Sequence, residues 1–155
     1  MSDTLAQLKA FFAKWREPLE RRALVRFEAG PAPLDALTLA AKADAFSGQF
    51  GFNPLCFNWE MLDPSVDLTA PRSARGTLVE ALTKDIGDRK TSWLSARDAM
   101  QFAVDLTGLF DPGTLSVLTN QLNGLWHPIS GASDEWSFAV MDDEVIALLV
   151  LVLRA

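Results

Sequence analysis

The sequence predicts an α+β fold, about five helices packed on a small, mainly antiparallel sheet, and three observations carry that expectation. Residues 145–153 are apolar at every position and rich in β-branched side chains, the pattern of a strand buried on both faces. Residues 135–141 alternate, with Trp136, Phe138 and Val140 on one face, and Asp142-Asp143-Glu144 joins the two segments as a C-terminal β-hairpin. Upstream, several stretches repeat apolar residues at helical spacing between recognisable caps. As a strand, residues 145–153 span about 30 Å, against about 13 Å as a helix, so they do not cross a bilayer as a helix.

Leu5, Leu8, Phe12 and Trp15 mark a first helix, with Ser2 or Asp3 as its cap and Pro18 ending it near Trp15 or Glu17. Residues 24–28, Leu-Val-Arg-Phe-Glu, read as a short strand, although residues 20–23 also suit a helix. Pro33 and Gly48 bracket a second helix carrying Leu34, Leu37, Ala41 and Ala45. Leu55, Phe57, Trp59 and Met61 alternate with polar neighbours and predict a strand, followed by a turn-rich loop over 63–72. Thr77 and Glu80 form a capping box for a third helix that stops at Gly87, and Ser95 with Asp98 opens a fourth that stops at Gly108. Asp111-Pro112 then reads as the start of a fifth, with Leu115, Leu118 and Leu122 as its buried stripe and Gly124 as its end.

A chain of 155 residues, 49% hydrophobic and 22% charged, fits one globular domain over residues 1–155. Cys56 is the single cysteine, so no internal disulfide forms, and Gln7, Lys9 and Lys14 interrupt the apolar residues near the start, unlike a signal peptide. A cytoplasmic location is the expectation. The net charge of −6 is uneven: residues 91–155 carry 8 of the 20 carboxylates but 2 of the 14 Lys and Arg, which is the whole excess. That balance argues against nucleic-acid binding, which needs clustered cations, and points to a basic partner or to solubility alone. The early cluster Arg16, Arg21, Arg22 and Arg26 is diluted by Glu17 and Glu20 and reads as a solvated face.

Chemistry-bearing motifs are scarce. Phosphate-loop, dinucleotide-binding, nucleophile-elbow and zinc-protease patterns are absent from the sequence, and one His with one Cys cannot supply a usual zinc site. No metal, cofactor or catalytic set is therefore expected. Cys56 lies between Leu55 and Phe57, the setting of a buried, slow thiol. The acids Asp142, Asp143 and Glu144, with Asp134 and Glu135, lack calcium-loop spacing and suit either a solvated turn or a partner patch. Trp126, beside His127, follows Gly124 in the loop leading to these acids, and Trp is enriched among interface anchors.

The leading expectation is a non-catalytic protein-binding module that recognises a basic partner through Trp126, His127, Asp134, Glu135, Asp142, Asp143 and Glu144. Small, acidic bacterial immunity and antitoxin proteins are similar in general character, an analogy of class without a shared motif. Two other readings stand beside it: a small enzyme or ligand binder using His127, Asp134 or Glu135, and a structural or adaptor subunit, with self-pairing as a homodimer.

Overall fold

The computed structural model describes residues 2–122 and 125–154. Its centre is a five-stranded antiparallel sheet in the order β1-β7-β6-β3-β2, built from β1 (Ala23–Pro31), β2 (Glu60–Leu62), β3 (Ser116–Thr119), β6 (Glu135–Met141) and β7 (Val145–Leu153). A separate two-stranded ribbon pairs β4 (Gln121–Leu122) with β5 (Leu125–Trp126). Four α-helices flank the sheet among the described residues: α1 (Ser2–Glu20), α2 (Leu39–Gly48), α3 (Ala74–Thr83) and α4 (Ala96–Thr107).

The apolar run that dominates the sequence is the strand expected of it. β7 pairs with β6 on one side and with β1 on the other, and Val145 to Leu151 are all buried. Its side chains divide by parity, as the pleat requires. Val145, Ala147, Leu149 and Leu151 meet Leu8, Phe11, Trp15 and Leu19 of α1, Leu78 and Leu82 of α3, and Phe102 and Leu106 of α4 in one core. Ile146, Leu148 and Val150 join Phe46 of α2, Leu55, Trp59 and Ile129 in a second core across the sheet. At roughly 1.5–3 kcal/mol for each fully buried large aliphatic side chain, a strand shared by two cores matters more than any helix that covers one.

Several boundaries differ from expectation, each for a physical reason. α1 runs through Pro18 to Glu20, because buried Leu19 anchors its last turn and the Pro18 carbonyl accepts a hydrogen bond from Trp93 Nε1 at 3.1 Å. α2 starts only at Leu39, where Thr38 accepts from the Ala41 N–H, leaving Leu34 and Leu37 outside the helix and exposed. The strand expected from Leu55 to Met61 is instead a 3₁₀ turn over Cys56–Asn58 followed by the short β2. Asp44 of α2 dictates this: its carboxylate accepts from the Leu55 and Cys56 N–H groups and from Trp59 Nε1, at 2.9, 2.9 and 2.8 Å. Cys56 takes a left-handed φ of 56° and is exposed, so the buried thiol expected there is not present.

α3 is capped by Ser73, whose Oγ accepts from the Gly76 N–H at 3.1 Å, while Thr77 sits inside the helix and donates to the Ser73 carbonyl. α4 matches its expectation, with Ser95 and Gly108 as caps. The fifth helix does not exist: residues 111–122 form a loop, β3 and β4. Leucines at helical spacing mark this segment, but Val117, Leu118, Thr119 and Asn120 are consecutively buried, with Val117 in one core and Leu118 in the other, as only a central strand allows. Gly124, the expected helix stop, lies outside the described residues.

Candidate partner-binding surface

The residues grouped by sequence as one surface fall at the two ends of β6. Trp126, His127, Asp134 and Glu135 lie near its start, whereas Asp142, Asp143 and Glu144 form the tip beyond its end. Six residues of strand, Trp136 to Met141, separate Glu135 from Asp142, roughly 24 Å from one to the other.

At the first end, Glu135 is not a surface acid. It is 0% exposed, and its carboxylate accepts from the N–H groups of Ile129 and Ser130, both at 2.9 Å, and from Ser137 Oγ. Asn120 completes the cluster, donating its Nδ2 to the Glu135 carbonyl at 2.9 Å and accepting from the Ser137 N–H at 2.8 Å. Gly131, at a φ of 85° that side-chain-bearing residues rarely adopt, turns the loop that brings Ile129 and Ser130 over the carboxylate. The expectation that Glu135 faces a partner is corrected: it holds the 127–134 loop against the sheet.

Trp126 is half-buried and meets Trp136 edge-on at 6.0 Å, so its ring belongs to the wall of the first core rather than to a free anchor. His127 is half-buried and bonds through its N–H to the Asn120 carbonyl at 2.9 Å. Asp134 is half-buried, and its carbonyl accepts from the Leu153 N–H at 3.1 Å. Among the described residues no group of three or more His, Cys, Asp or Glu is placed to hold a metal ion.

The other end presents a surface. Asp142 accepts through Oδ1 from the N–H groups of Glu144 and Val145, at 2.8 and 2.9 Å, and through Oδ2 from the Asp111 N–H at 2.9 Å. Burial works against its charge, but the three backbone donors outweigh it and hold the carboxyl below the usual carboxylate range. Asp142 thus builds the tip, and Asp143, Glu144 and Asp111 stand exposed around it. The Asp143 N–H reaches Thr114 Oγ1 at 3.4 Å, tying the same loop to the hairpin.

A second loop reaches this tip from β1. The Ala32 N–H donates to the Glu144 carbonyl at 2.9 Å, and the chain then runs through Leu34, Asp35 and Leu37 before the Thr38 cap. Leu34 is 86% exposed and Leu37 99%, beside exposed Asp35. Sequence reading placed both leucines in the second helix and Asp111 at a helix N-cap, so it missed them here. The available signal was Thr38, a good N-cap placed after Pro31 and Pro33. Comparison of the chain with protein-family models, curated proteins and solved structures returns no match. No helix among the described residues is long and apolar enough to cross a membrane.

Proposed function

We propose that the protein is a non-catalytic binding module that engages a basic protein through the β6–β7 tip. The observation that carries this reading is the joining of exposed apolar side chains to exposed acids. Leu34 and Leu37 leave the fold nearly uncovered, on a loop fastened at Ala32 to the turn that displays Asp143 and Glu144. Apolar anchors inside a charged rim are the usual anatomy of a protein interface. The excess of carboxylates in residues 91–155 adds a long-range bias toward cationic partners. Neutralising a basic protein, in the manner of an immunity protein or antitoxin, is the form of activity this surface fits.

Capture of the partner from the native source, followed by stopped-flow kinetics on two variants, tests the proposal. Asp143→Lys/Glu144→Lys is expected to slow association about 10-fold or more at low ionic strength and to flatten its salt dependence. Leu34→Ser/Leu37→Ser is expected to leave association nearly unchanged and to speed dissociation by a similar factor. A basic partner that binds both variants with wild-type rates overturns the assignment of this surface.

A further inference from the structure

We propose that β1 is a self-pairing edge: two copies of this chain join β1 to β1, antiparallel, about a two-fold axis at Phe27, and so continue two sheets into one. β1 is nine residues long, pairs along its whole length with β7, and has no described strand on its other side. The opposite edge, β2, is only three residues long. Long bare edges are normally blunted by proline, unpaired charge or a covering element, because their free N–H and C=O groups invite another strand. In β1 the one proline is the last residue, Pro31, and the two charges are of opposite sign.

The placement of those charges fixes both the occupant and the register. A two-fold axis normal to a sheet keeps each face on its own side, so in an antiparallel pairing the axis passes at a residue. With the axis at Phe27, Arg26 lies opposite Glu28 of the second copy, and Glu28 lies opposite Arg26 of the second copy. Moving the axis to Arg26 sets arginine against arginine, and moving it to Glu28 sets glutamate against glutamate. Both neighbouring registers are therefore penalised, while the central one alternates four charges. Arg26 and Glu28 are already held on the α2 side of the sheet, where they pair at 2.8 Å and the guanidinium lies 5.1 Å above the Phe52 ring.

The opposite face agrees. Phe27 packs 4.9 Å from Phe12 of α1, and both rings are half-buried along an open groove of about 600 Å³ between α1 and β1. At the axis the two Phe27 rings oppose each other, so two Phe12–Phe27 pairs join into one aromatic row. Leu24, 54% exposed, comes to lie opposite Gly30 of the second copy, whose α-carbon is covered by the Phe46 ring.

Sedimentation equilibrium on the full chain, with Arg26→Glu, Glu28→Arg and the double variant, tests the proposal. The wild-type chain is expected to dimerise, and each single variant to lose association at least ~100-fold, since like charges then oppose each other twice. An equimolar mixture of the two single variants is expected to form a heterodimer, because an all-acidic edge then faces an all-basic one. The double variant, with the charges exchanged, is expected to dimerise with itself. Exposed ion pairs contribute little to folding, so circular dichroism of each variant should match the wild type. Hydrogen exchange on the wild-type chain gives a readout without substitution: β1 amides should gain protection as protein concentration rises. A wild-type chain that stays monomeric at ~100 μM, single variants that dimerise alone, or a mixture that stays monomeric overturns it. So does a β1 edge that is protected only when a different protein is added.

Discussion

Glu135 and Asp142 begin and end the same hairpin arm, and both are carboxylates used as scaffolding. Removing the Glu135 side chain strands two loop N–H groups and the Ser137 hydroxyl in a buried site. Glu135→Ala is expected to cost about 3–5 kcal/mol in chemical denaturation, against roughly 0.5 kcal/mol or less for Asp143→Ala on the surface. Asp142 supplies a pH signature. Its folded pKa lies below the ordinary value, so the charged form favours folding above the unfolded-state pKa near 3.9, and that contribution is lost as pH falls through the folded value. Asp142→Asn should therefore be less stable than wild type at neutral pH, with the gap closing below about pH 4 in pH-dependent unfolding curves. The sequence distinguishes neither role from that of a surface acid, because beside the near donors Ser137, Glu144 and Val145 the rest come from Asn120, Ile129, Ser130 and Asp111, which the tertiary fold brings near.

Elements whose pattern and caps agree were legible. α4 has Ser95, Gly108 and one clean apolar stripe, and β6 with β7 has alternation followed by an unbroken apolar run. Residues 111–122 were not, because leucines three and four apart satisfy a helix even when neighbouring strands bury Val117, Leu118 and Thr119 together. Residues 55–61 misled similarly, since alternation carried no trace of the distant Asp44 that bends them. For β7 the structure makes a sharper claim than burial alone. Ile146→Ala empties space beside α2 and Leu149→Ala empties space beneath the three other helices, so each should cost about 2–5 kcal/mol. Because the two cavities open on opposite sides of the sheet, the double variant should lose the sum to within about 0.5 kcal/mol, measured as unfolding free energies.

For the molecule as a whole, the charge imbalance was legible and its geometry was not. Sequence proximity grouped Asp134 and Glu135 with Asp142–Glu144, yet a strand carries the chain away between them, so the surface had to be reassembled from Asp111, Asp143, Glu144 and the Leu34–Leu37 loop. The sheet order also sets a timetable. β6 and β7 are joined by a tight turn and can pair early, but Ala23 finds its partner only at Leu153, so β1 closes one of the longest loops in the chain. Until β7 is in place, β1 has two bare edges instead of one, carries Leu24, Val25 and Phe27 uncovered, and lies beside a first helix whose apolar stripe has no sheet to rest on. The same strand that would join two finished copies side by side is, during folding, the segment most open to capture by the wrong neighbour, and a holding chaperone that delays its exposure should raise the yield of native protein more than one that accelerates collapse.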